Sequence, residues 1–185
     1  MVERNSTGRA RLGVASVIVA VAIGGCGGDP PAVGLDEYVR AECEISMRYQ
    51  GRMQDLTRRM LETTGPAAQT GLADIASDMS ALFYGLADET EALGNAPNGE
   101  NALDSRESLT ETRRTAQELA DSATRIRAAG SEGEQTAAFE NFQQVLVTAG
   151  RRGAEMQAKS APTPELDRAR RAVPGCADAM NTPTL

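Results

Sequence analysis

The chain has no histidine, no tryptophan, a single lysine (Lys159), three cysteines, three tyrosines and three phenylalanines in 185 residues. Each scarcity closes off some chemistry. Without imidazole there is no Ser-His-Asp or Cys-His nucleophile system. Di-iron sites built on Glu-x-x-His, histidine-dependent zinc sites and Cys-x-x-Cys-His haem attachment fall with it. Tyr38, Tyr49, Phe83, Tyr84, Phe139 and Phe142 are too few for a sugar or base-stacking platform. No glycine-rich phosphate loop follows a strand. The expected catalytic, metal and cofactor sets are therefore all none, and the chain is not expected to be an enzyme.

Charge narrows the partners further. The chain carries a net −7; residues 1–25 contribute +2, from Arg4, Arg9 and Arg11 against Glu3, so the remainder carries −9. Neutralising nucleic-acid phosphate or gripping anionic lipid needs a positive surface, so neither is expected. The excess of arginine over lysine, with much alanine, reads first as mutational bias.

What is present begins with the N-terminus. A short polar stretch holding three arginines precedes the apolar run Leu12 to Ile23. About 12 residues at 1.5 Å each reach about 18 Å, short of the roughly 30 Å of a bilayer core. This is the pattern of a signal-peptide core, not of a membrane-spanning helix. Ile23-Gly24-Gly25-Cys26 follows, and it resembles the bacterial lipobox. That resemblance implies cleavage before Cys26 and acylation of its thiol as the first residue of the mature chain, with palmitate-type chains inserted in the membrane. Two or three chains, at about 0.8 kcal/mol per buried CH₂, anchor stably where one does not. The alternative is an ordinary secretory leader or an uncleaved anchor with a chance cysteine.

The expected organisation is thus a leader over 1–25, a lipidated Gly/Pro tether over 26–34 and a helical body over 35–185. Within the body, breakers separate four long segments of helical periodicity, about 35–62, 66–93, 100–129 and 134–160. Leu72, Ile75, Met79, Leu82, Leu86 and Leu93 form the clearest seam. The third seam is thinner and alanine-rich, from Ala102 through Leu109 and Ala116 to Ile126. In the fourth, Phe139, Phe142, Leu146, Ala149, Gly153 and Met156 keep the rhythm, with Gly150 and Gly153 as a weak point. Thr163 and Pro164 open a short fifth helix that ends before Pro174-Gly175. The fold class expected is all-α, an up-down-up-down four-helix bundle with a short C-terminal helix.

With Cys26 lipidated, Cys43 and Cys176 remain, and an exported chain meets oxidising conditions. In an up-down-up-down bundle the fourth helix returns to the end where the first begins, so the two can meet. A structural disulfide is expected; a redox-active or metal-binding pair is the alternative, against which stands the absence of Cys-x-x-Cys spacing. Tyr38-Val39-Arg40-Ala41-Glu42-Cys43 and Pro174-Gly175-Cys176 are similar to the early and late cysteine regions of small exported actinobacterial lipoproteins, mostly without assigned activity.

The remaining clusters have simple readings. Met47, Met53, Met60, Met79 and Met156 could suit Cu(I), but methionine on helix seams normally fills core gaps. Glu42 and Glu44 beside Arg40 and Arg48, and the pairs Arg113-Arg114, Arg125 with Arg127, and Arg151-Arg152, read as solvated faces before acid/base pairs or a basic strip. The expected function is a membrane-tethered, non-enzymatic interaction or accessory module of the cell envelope. Its partners are the membrane, through the lipid, and an envelope protein. The alternative is a small-ligand or ion carrier with a cavity between helices.

Overall fold

A computed structural model describes residues 34–63, 68–97, 102–159 and 162–176. All of them belong to the unit formed by residues 32–185. The leader, Cys26 and the tether through residue 33 lie outside the described residues. The described chain is all-α: α1 (Leu35–Glu62), α2 (Ala68–Leu93), α3 (Ala102–Ala128), α4 (Glu132–Lys159) and α5 (Pro164–Ala172). Among the described residues no helix is long and apolar enough to cross a membrane.

The ends of these helices follow from local chemistry. Asp36 and Glu37 sit in the first turn of α1 and Arg59 in its last, both favourable to the helix dipole. Gly94, at φ +77°, closes α2 by donating its N–H to the Thr90 and Glu91 carbonyls. The Gln69 amide donates to the Ile126 and Ala129 carbonyls, both at 2.7 Å, so α2 itself caps the end of α3. Thr163 caps α5 by accepting from the Leu166 N–H, with Pro164 in the first turn.

The start of α4 is a reciprocal capping box. Ser131 Oγ accepts from the Glu134 N–H at 3.3 Å, and the Glu134 carboxylate accepts from the Gly130 and Ser131 N–H groups at 2.9 Å. This explains why α4 begins at Glu132, two residues before the position expected from periodicity. The Gly130 amide first, then that of Ser131 and its hydroxyl, hold the Glu134 carboxyl below the usual glutamate range. A depressed folded-state pKa makes this cap fully effective above the ordinary glutamate range and lost as pH falls through and below it. NMR titration should place the Glu134 carboxyl midpoint below that of a free glutamate. Ser131→Ala should cost about 1 kcal/mol in urea unfolding and move that midpoint part of the way up, because the Gly130 and Ser131 N–H donors remain. An unmoved midpoint would remove the assigned role.

Packing runs between successive helices from α1 to α4, and α5 folds back onto α1. α2 and α3 approach most intimately, α1 lies against α2, α4 against α3, and α5 against α1. Small residues permit the α2–α3 approach: Ala73, Ala76 and Ala87 meet a partner bearing Ala116 and Ala123, all buried. Ser80 seals it by donating its hydroxyl to the Ala116 carbonyl at 2.8 Å. Ala138 and Phe142 of α4 share the main apolar cluster with Tyr49, Met53 and Leu56 of α1 and with Ile75, Met79, Leu119 and Ile126. A second cluster, Tyr38, Val39, Cys43, Ala96, Leu166 and Cys176, occupies the end where α1 begins. As expected from the unbroken rhythm, α4 runs as one helix through the weak point at Gly150 and Gly153.

Candidate functional site

Two places concentrate polar chemistry: the α1–α5 end and the seam between α3 and α4. At the first, Gly175 takes a left-handed φ of +77° just ahead of Cys176, a conformation glycine adopts without the Cβ penalty. Cys176 is disulfide-bonded to Cys43, with Cα atoms 5.2 Å apart and both residues fully buried. Beside them Arg170 forks onto Glu42, Nε to Oε2 at 2.9 Å and Nη2 to Oε1 at 2.6 Å. Both side chains are only 17% exposed. Burial, reinforced by the Glu42 charge and offset by Arg170, raises the Tyr38 phenol, so it stays protonated. Each charged group here is occupied by the other and both thiols are bonded. The arrangement fixes α5 to α1 and offers no nucleophile.

The second place replaces an apolar seam with a polar one. Arg152 of α4 donates to both Glu118 oxygens at 3.1 Å and lies 3.7 Å from Glu111 Oε2. Arg114 reaches the same two carboxylates from their own helix. Glu118 chiefly holds the Arg152 guanidinium above its usual range, against the opposing effect of burial. Glu111 Oε2 is buried without a hydrogen-bond partner. Alongside runs an open groove of about 270 Å³. Glu118, Asp121 and Arg125 line its α3 wall; Asn141, Gln144, Thr148 and Arg152 line the α4 wall, where Val145 is the one apolar member.

The clusters singled out from the sequence separate in space. Glu42 turns to Arg170, 128 residues away, while Arg48 pairs with Glu89 and stacks over the Tyr49 ring, 5.5 Å from its centroid. The Tyr49 hydroxyl also donates to Glu89, and a Cβ at Gly85 would lie 2.7 Å from that hydroxyl, so glycine makes room for the ring. Arg113 pairs with Asp88 and Glu91, Arg127 with Asp74, and Arg152 with Glu118, so these arginines bridge helices instead of forming a basic strip. Met53 and Met79 are core residues. Among the described residues no group of three His, Cys, Asp or Glu side chains could hold a metal ion. Neither the Glu42–Arg170 fork nor the α3–α4 groove follows from motif spacing. The signal that pointed toward the groove is the thinness of the third seam. No family model matches the chain, and no curated protein and no solved structure matches it either.

Proposed function

We propose that this chain is an exported lipoprotein, anchored through acylated Cys26 on the outer side of a membrane, whose helical body is a non-enzymatic interaction module of the cell envelope. The body is an up-down-up-down four-helix bundle closed by α5. The observation that carries the export reading is the buried Cys43–Cys176 disulfide, a bond that persists in oxidising compartments and is rare in the cytosol. The leader, the lipobox and the Gly/Pro tether of residues 1–34 agree with it. The tether joins α1 directly at Leu35, two turns before the disulfide.

The carrier alternative draws on the α3–α4 groove. At about 270 Å³ and open to solvent, that groove is smaller than the roughly 300–1,000 Å³ pockets that enclose small ligands. A surface that docks a partner fits it better. Mass spectrometry of the native membrane fraction should find a mature N-terminus at a diacylglyceryl-modified Cys26, and crosslinking in intact cells should return a specific envelope protein. An unmodified Cys26 or an intact leader would overturn the anchoring. Crosslinking that captures no specific partner would overturn the module reading.

A further inference from the structure

We propose that the outward face of α4 is a self-association surface, on which a second copy of this chain lays its own α4 antiparallel, with the Val147 side chains near the two-fold axis. The inference goes beyond the interaction-module reading and does not depend on how the chain is anchored.

A helix with water along one side normally carries charge there. In α1 and α3 a charged residue recurs at least every fourth position across residues 36–62 and 104–127. Two stretches depart from this pattern. Residues 79–87 of α2 are uncharged, and α2 has α1 and α3 as close neighbours to cover it. Residues 141–150 of α4 form a longer uncharged stretch, yet α4 packs closely on α3 alone. Ala138, Phe142 and Ala149 occupy its inward side. Phe139, Gln143 and Val147 are exposed on the other. Val147 is 67% exposed at mid-helix, whereas the one more exposed large apolar residue described, Leu61, lies in the last turn of α1.

The charges that bracket this face indicate what covers it. Glu140 and Arg151 are exposed and form no ion pair or hydrogen bond among the described residues. They are eleven residues apart, about 20° past three full turns, so both lie along one edge of the face. A two-fold axis relating antiparallel helices keeps that edge on the same side and reverses its direction. With the axis level with the midpoint between residues 145 and 146, Glu140 of each copy comes level with Arg151 of the other. Two ion pairs then close across the interface. The same register leaves the two Val147 side chains offset by about 4.5 Å along the helices. On the opposite edge it sets Phe139 beside Gly153 of the second copy, where a Cβ would meet nothing within 4 Å and a ring has room. A parallel pair would instead oppose Glu140 to Glu140 and Arg151 to Arg151, which repel. The negative charge of each copy is screened beyond about 8 Å at physiological salt. α4 itself is close to neutral, with four acidic and three basic residues.

One helix from each copy makes a small interface, so dimers should form at micromolar concentrations and above. Light scattering on the native chain in detergent, with micelles in large excess, should follow a monomer–dimer equilibrium across a concentration series. Glu140→Arg and Arg151→Glu should each weaken association about ten-fold. An equimolar mixture of these two variants should recover it, because every edge contact of the mixed dimer joins opposite charges. Val147→Arg should abolish it. All three positions are exposed, so the variants should keep wild-type helicity and melting. In cells, a photo-crosslinking residue at Gln143 should join two copies of this chain. Monomers at every concentration, charge reversals without effect, or a mixture no better than either variant alone would overturn the proposal. Crosslinks from Gln143 that reach only a different protein, or only lipid, would overturn it as well.

Discussion

Replacing Cys43 and Cys176 together by alanine should lower the free energy of unfolding by about 2–5 kcal/mol. The bond joins residues 133 apart, so its removal frees nearly the whole helical body in the unfolded state. The loss should be unevenly distributed. α5 is nine residues long, far too short to persist as an isolated helix. Apart from the disulfide, its hold on α1 consists of buried Leu166, half-buried Ala169 and Val173, and the Glu42–Arg170 fork. Without the bond, docking of α5 becomes a local equilibrium. Hydrogen exchange should therefore show α5 and the first two turns of α1 losing protection before α2 and α3 do. A urea midpoint unchanged in the double variant would show that the crosslink contributes nothing to stability. Uniform loss of protection along all five helices would show that α5 does not move separately.

Phe142→Ala should cost about 3–5 kcal/mol, equivalent to a drop of about 6–20 °C in melting temperature for a chain of this size. Phe142 is fully buried and is the only large side chain α4 sinks completely into the main cluster; its other buried residues are Ala138 and Ala149. The polar α3–α4 seam cannot compensate, because Arg152 and Glu118 are partly buried and the cost of desolvating them offsets much of their attraction. The truncation leaves a cavity lined by residues on rigid helices that cannot collapse around it. Phe139→Ala is the control. That ring is 38% exposed, and its loss should cost a small fraction of the Phe142 effect. Thermal melts followed by circular dichroism decide the point. Similar losses from both variants would mean that α4 is held by its whole face and not by one anchor.

The contrast between these two phenylalanines also shows what the sequence can and cannot specify. Breakers and periodicity place α1 at Leu35–Glu62 and the short α5 after Thr163, because glycine, proline and cap residues act locally. The phase of α4 is harder. Phe139 and Gly153 fit the three-four rhythm, yet both are exposed, and Ala138 faces the core instead. Helical spacing defines stripes, and with apolar residues on two adjacent stripes it does not say which one meets a neighbour. The charges show the same limit. Read along the chain, Arg48, Arg113, Arg127 and Arg152 look like solvated helix faces. In space each reaches a carboxylate on another helix. Those pairings depend on helix rotation and offset, which tertiary packing alone decides. The Cys43–Cys176 pairing was legible through an expectation, that Cys26 is acylated and a bundle brings the other two thiols together, and the bond itself is present.

Gly34 leads straight into α1, and Cys43 lies two and a half turns further on. A pull applied at Gly34 can therefore unwind only the stretch from Leu35 to Glu42 before it meets a covalent knot. Past that point tension divides between two strands, one running forward into α1 and one backward through α5. The body cannot be drawn out from its N-terminal end like thread from a spool. Its resistance to tugging is set by how many helices must shear at once.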